Sequence, residues 1–535
     1  MRRAYITVVA ILLPVTSAAQ QPAPVERLGT VRFDNSCSSA AQPAFNRAVA
    51  LLHSFEFRDA ITGFNQTLAS DPGCGIAHWG LALSIWGNPF VPARKAEALL
   101  ERGLAAVQQG RAAGARTQRE RDFIEAAARL YEDFRSIDQP ARLTAYRVAM
   151  AALAARYPDD IEASIFSALS MAISADPADK TFSVQLEAGR RFENLFARFP
   201  EHPGLAHYII HTYDVPAIAN RAQQAAVRYA AIAPTAPHAL HMPSHTFTRI
   251  GNWGESIASN LASSAAAKRV EGTSEELHAI DYLMYAYLQT GRDSAARAIL
   301  AELPSIVARF DPARPTGAAP ASAAFFAIAA IPARYALERG AWTEGATLEV
   351  KRTPYAWADA VTFFARAIGA ARSGDAAAAR AQASELASLR DRLVEQKEAY
   401  WVEQAEIQLL AAAAWIAFAE KRNGEALALM RDAARREDAT EKSAVTPGPL
   451  APARELLGEM LLEMGQPAAA LVEFRQALLH EPNRYRTVAG AARAAASAGN
   501  RTAARRYYAL LLELTRRGDR PGRRELSAAR RAVAH

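Results

Sequence analysis

Seven of the eleven histidines fall between residues 202 and 278. They sit in three short strings: His207-Tyr-Ile-Ile-His211-Thr-Tyr-Asp214, His238-Ala-Leu-His241-Met-Pro-Ser-His245, and His278-Ala-Ile-Asp281-Tyr282. Each string holds a pair at i,i+3 or i,i+4, a spacing that puts both side chains on one face of a helix. Neutral imidazoles with one or two carboxylates suit zinc, copper, iron or nickel. The candidate ligands are therefore His207, His211, His238, His241, His245 and His278, with Asp214 and Asp281. They are enough for one site, or for a two-metal site built on both His pairs. A catalytic metal there would keep a position open for water, which it would acidify into a nucleophile. The strings lack the glutamate of an HExxH protease. Tyr208, Tyr213 and Tyr285 are candidate outer donors, and His202, at a helix boundary, is left out. Pro243 lies between His241 and His245, where it should kink or restart the helix and free a carbonyl near Ala239.

The spacing between strings is as informative as the spacing within them. His207 and His241 are 34 residues apart, as are His211 and His245. A 34-residue register recurs elsewhere. Unit 451–484 has Gly458 at position 8, Gly465 at the turn, then Ala470, Phe474, Ala477 and Pro482. Unit 41–74 has Ala48, Ala60, Phe64 and Pro72, and unit 485–518 has Ala492, Ala504 and Tyr508. Weaker units start at 203 (Ala222, Pro234), at 237 (Ser244, Gly251, Ser256) and near Leu277 (Gly291, Ala296). Small residues let two helices of a hairpin approach closely, an aromatic fills the gap, and proline stops the second helix.

This pattern resembles the tetratricopeptide repeat (TPR). The resemblance implies an all-α, TPR-like superhelix, an α-solenoid of antiparallel helical hairpins, with a concave face that binds a protein or peptide partner. It also implies that repeat positions 2, 5, 9, 12 and 13 face the groove. His207 and His241 (position 5), His211 and His245 (position 9), His238 and His278 (position 2), Asp214, Asp281 and Arg249 would then line one patch, on helices about 8–10 Å apart. By the same rule His53 faces the groove as a lone polar residue, and His78 is a further candidate. Trp79, Trp86 and Phe90, at helical spacings, read as core. Over residues 27–300 the strings HYIIHTYD, PHALHMPSH and ELHAIDYLMYAYLQ, with Cys74-Gly-Ile-Ala-His78-Trp79-Gly80 and Trp86–Phe90, are also similar to a group of exported bacterial TPR proteins. No activity follows from that likeness.

Composition agrees with a helical protein: alanine, leucine, arginine and glutamate dominate, and aromatics are 8%. The net charge of +7 is uneven. Residues 484–535 carry 13 Arg and 3 acidic residues, so the body of the chain is slightly acidic. That, with export, argues against a nucleic-acid partner. Arg2-Arg3, the apolar stretch Ala4–Val15 and a small-residue site ending at Ala19 have the form of a secretory signal. The expected location is periplasmic or secreted, with no transmembrane segment after cleavage. Two cysteines in an oxidising compartment suggest a Cys37–Cys74 disulfide, and a two-cysteine metal site is the alternative.

The resulting division is a signal peptide (1–19), an N-terminal segment (20–40), an N-terminal TPR-like array with the His-rich groove (41–303), degenerate hairpins (317–446), C-terminal repeats (447–518) and a basic tail (519–535). The leading functional reading is an exported repeat protein whose groove binds a transition metal, zinc, copper or iron. Two others stay open: a metal-dependent, hydrolase-like enzyme, and a metal-free scaffold of the cell envelope. Short of a metal, the histidine cluster can be a groove that reads the polar groups of a peptide or small-molecule ligand, or a hydrogen-bonded structural network.

Overall fold

A computed structural model describes residues 26–91, 94–176, 179–314, 317–443 and 445–534. The signal segment lies outside them. Among the described residues there is no strand. Helices pair in antiparallel hairpins that stack into an α-solenoid. Gln42–His53 pairs with Phe57–Ser70, Pro203–Thr212 with Gln223–Ile232, Ala453–Glu463 with Pro467–His480, and Tyr485–Ser497 with Arg501–Leu514. Among the described residues no helix is long and apolar enough to cross a membrane.

The small and aromatic residues of the repeat do what their sizes require. A Cβ added at Gly458 would meet the Phe474 ring at 2.9 Å, and one added at Gly490 would meet it at 2.4 Å. Phe474 thus fills the space between its own hairpin and the next, and only glycine on both sides admits it. Phe64 stands in the same relation to Gly80, where a Cβ would lie 2.2 Å from the ring.

The helices that carry the candidate ligands start where the sequence dictates. Pro203 and Pro237 occupy first-turn positions, where a missing N–H costs nothing. The residues before them, His202 and Ala236, are extended, as a following proline demands. Asp160 caps the Ile161–Ile173 helix by accepting from the backbone N–H groups of Glu162 and Ala163, worth about 1 kcal/mol. Pro243 divides its segment into Pro237–His241 and Pro243–Arg249. Met242 keeps helical angles (φ −51°, ψ −38°), so the two pieces stay nearly in line.

The solenoid does not leave the histidine helices along an open groove. Its C-terminal part packs back on the middle. Trp253 Nε1 donates to the Asn483 carbonyl (2.8 Å), Asn483 Nδ2 to the Gly251 carbonyl (3.2 Å), and the Asp519 N–H to the Gly291 carbonyl (2.9 Å). The basic end is anchored as well. Arg523 pairs with Asp293 and lies over the Tyr485 ring, and Leu526 and Ala529 of the last helix, Glu525–Ala534, are buried. Near the other end, Cys37 and Cys74 are joined by a disulfide.

Candidate metal centre

The six candidate histidines are buried, from fully enclosed for His207 and His241 to 8% exposed for His211. They form two triads. His207 and His211, from Pro203–Thr212, meet His238 from Pro237–His241. His241 and His245, on either side of the Pro243 break, meet His278 from Thr273–Gln289. In each triad one ligand nitrogen per residue lies within 4.8 Å of the other two. The triads adjoin: the His211 and His245 rings are 5.9 Å apart between centroids, and His238 and His241 are 6.2 Å apart.

In the first triad, Nδ1–H of His207 donates to the His53 carbonyl (2.6 Å) and Nδ1–H of His238 to Glu275 Oε1 (3.2 Å). Nε2 of His207, His211 and His238 has no hydrogen-bond partner. Three buried nitrogens without partners in one place are costly unless something binds them. The walls are aromatic: Phe55 meets the His207 ring edge-on at 4.3 Å, and Phe90 stacks on His211 at 4.6 Å.

In the second triad the tautomers are set from outside. Asn260 Nδ2 donates to the Ser256 carbonyl (2.8 Å), which turns Oδ1 toward His241 Nδ1 (2.7 Å). Asp214 Oδ2 accepts from His245 Nδ1 (2.9 Å). Both Nε2 atoms therefore carry lone pairs, and they face each other at 3.1 Å. That repels, unless a cation sits between them. Two nitrogens at about 2.05 Å from a tetrahedral ion are themselves about 3.3 Å apart. His278 Nδ1 is buried without a partner. Orientation of ligand imidazoles by carboxylate, amide and carbonyl is the usual outer layer of a metal site.

Burial, reinforced by neighbouring imidazoles, holds His207, His211 and His241 well below the usual histidine range. Burial outweighs Asp214 in lowering His245 to about 4, and outweighs Glu275 in lowering His278 to about 3. All five are neutral at pH 7, the form a metal requires.

The two candidate carboxylates are elsewhere engaged. Asp214 lies behind His245, with Arg249 Nε at 3.1 Å and Lys442 Nζ at 3.2 Å. Burial opposes its ionisation, but Lys442, His245 and Arg249 prevail and keep it well below the usual carboxylate range. Asp281 pairs through Oδ1 with buried Arg334 (2.8 Å), which also holds Thr446 Oγ1 and the Gly448 carbonyl. Neither belongs to a triad: Asp214 orients His245, and Asp281, through Arg334, holds the 446–448 segment. Tyr208 donates to His53, Tyr213 packs on Gly189, and Tyr285 belongs to an Arg484 network. At the second triad stands Tyr282, whose hydroxyl lies 3.4 Å from His245 Nδ1 and donates to the Thr446 carbonyl, while at the first Tyr229 stacks on the His207 ring at 5.2 Å.

His53 and His202 are not isolated polar residues. Both donate to Glu162, at 2.9 and 3.1 Å, and Glu162 is held below the usual range because the two imidazoles outweigh its burial. This third group lies behind the first triad, tied to it by the His53 carbonyl, and its His202 Nδ1 is buried without a partner. His78 is half-buried beside Gly110, apart from the triads. On the outer side of Asp214, a cavity of about 130 Å³ is lined by Arg249 and Lys442, with Tyr400 and the stacked pair Trp357–Trp401.

No protein-family model matches the chain, and no curated protein matches it. Among solved structures it is similar to the crystal structure of the APC/C hetero-tetramer Cut9–Hcn1, at 12% identity over 94% of this chain and 78% of that one, with a TM-score of 0.36. It is likewise similar to the human IFIT1 dimer with m7Gppp-AAAA, at 10% identity over 90% and 96% of the two chains, with a TM-score of 0.38.

Proposed function

We propose that the protein is an exported helical-repeat protein that binds a transition metal at the paired histidine triads. The observation that carries this reading is the 3.1 Å approach of His241 Nε2 and His245 Nε2, with both Nδ1 atoms engaged by acceptors. Three partnerless Nε2 atoms in the adjoining triad support it. Export rests on the N-terminal leader and fits the Cys37–Cys74 disulfide, since such bonds persist in oxidising compartments. A second reading, an enzyme acting on a small molecule, draws on the cavity beside Arg249 and Lys442, one residue away from the triads through Asp214.

Elemental analysis by mass spectrometry tests the proposal. Untagged protein purified from the periplasm should hold near-stoichiometric metal, and a His207→Ala/His245→Ala double variant little or none. Absence of metal from the first, even after reconstitution at pH 7.5, would refute it.

A further inference from the structure

Resting on that reading, we infer that the six histidines form a dinuclear copper centre, three imidazoles to each ion, which holds copper as a Cu(I) pair.

The donor set is the first argument. Each triad offers neutral nitrogen and neither contains a carboxylate. The anionic groups behind the ligands are largely spent. Asp214 is shared by Lys442 and Arg249, and Asp281 is paired with Arg334. Glu275, behind His238, is the remaining acid in direct contact with a ligand side chain. Glu56 reaches the His238 backbone N–H (3.5 Å) rather than a ligand nitrogen. Two divalent ions would put four positive charges into this enclosure, and two Cu(I) ions would put two. The cost of burying an ion scales with the square of its charge, so each divalent ion costs about four times as much as a monovalent one.

Coordination number is the second. Zinc at three protein ligands takes a water or hydroxide as a fourth. The first triad is closed by Phe55 and Phe90, which supply no oxygen donor. Copper(I), a d10 ion, makes no demand for a fourth ligand and can be held by three imidazoles, donors that suit copper as they suit zinc. Adjacency is the third. Two pairs of rings, His211–His245 at 5.9 Å and His238–His241 at 6.2 Å, lie no farther apart across the boundary between triads than the most separated pair within one, His211–His238 at 6.2 Å. Two filled triads make one centre rather than two independent sites.

The test is anaerobic loading of full-length apo protein with Cu(I), and separately with Zn(II), followed by desalting and metal analysis. The expected result is two coppers per chain, falling to one in His211→Ala and to one in His278→Ala, with His78→Ala unchanged at two. Circular dichroism checks that each variant is folded. Copper-edge X-ray absorption on the unsubstituted protein, which needs no variant, should show about three nitrogen neighbours per copper and imidazole scattering. A single copper per chain, a nitrogen shell of four or more, or zinc that excess Cu(I) does not displace would overturn the inference while leaving the metal-binding proposal standing. No retention of either metal would overturn both.

Discussion

His241 and His245 are four residues apart on a helix that Pro243 interrupts, and their Nε2 atoms approach to 3.1 Å while Asn260 and Asp214 hold the two Nδ1 atoms. The approach needs both the break and the two acceptors. Without Asn260 the His241 ring is free to choose the other tautomer and turn its proton toward its neighbour.

Asn260→Leu should therefore weaken metal binding at the second triad by about 10–100-fold, the usual effect of removing an outer hydrogen-bond partner, and leave the first triad unaffected. Competition with a chelator of known affinity measures this. Equal weakening at both triads, or none, would count against the role assigned to Asn260.

The apo protein should lose stability as pH falls below 6.5. Unfolded histidines take up protons near that value, whereas His245 does so in the folded chain only at about 4 and His278 at about 3. Between those limits the unfolded state binds more protons, so each such histidine removes about 1.4 kcal/mol per pH unit of acidification. Urea midpoints at pH 7.5 and 5.0, with metal removed, should differ markedly, the lower at pH 5.0. Equal midpoints would contradict the burial of neutral imidazoles.

Arg484 should be a stability determinant of the junction between the two ends. It is fully enclosed, ion-paired with Glu338 at 2.7 Å and Glu455 at 2.8 Å, and donates to the Tyr285 hydroxyl. Arg484→Met leaves two buried acids short of a cation, which costs about 3–5 kcal/mol. Adding Glu338→Gln should restore part of the loss. Chemical denaturation of the single and double variants decides, and a double variant no more stable than the single one would speak against the pairing.

Replacing both Cys37 and Cys74 with serine opens a covalent loop of 37 residues. The expected loss is about 3–4 kcal/mol, from the greater freedom of the unfolded chain. Metal content should not change, because neither cysteine touches a triad. A variant that folds but loses its metal would show a longer-range coupling than the contacts allow.

The sequence made some of this plain and hid the rest for a physical reason. Position 8, 20 and 24 residues such as Gly458, Ala470 and Phe474 reveal the hairpins, since their sizes are set by neighbours in the same unit. The 34-residue spacing marked His207 with His241 and His211 with His245. The structure puts the two members of each pair in different triads, because equivalent positions on successive hairpins lie side by side rather than face to face. Glu275 and Asn260 reach the histidines from the next helices along, and nothing in their local spacing distinguishes them from other polar residues. Asp214 and Asp281 looked like ligands in their own strings. Their partners, Lys442 and Arg334, lie 228 and 53 residues further along the chain, and no local pattern shows that their charge is already satisfied. The return of the C-terminal part onto Trp253 and Gly251 depends on surfaces some 230 residues apart, and it turns a groove into an enclosure.

The Lys442–Asp214 and Tyr282–Thr446 contacts give the centre a clock. The six imidazoles belong to one stretch of chain, but the residues that seal them lie as much as 164 positions beyond Tyr282. While the chain matures there is an interval in which the pocket exists and its cover does not. An ion would enter most easily during that interval. In the finished fold, entry and exit would both wait on the two arrays parting, a large and cooperative opening. Loading of the folded apo protein and loss from the loaded one should then be slow and limited by the same opening.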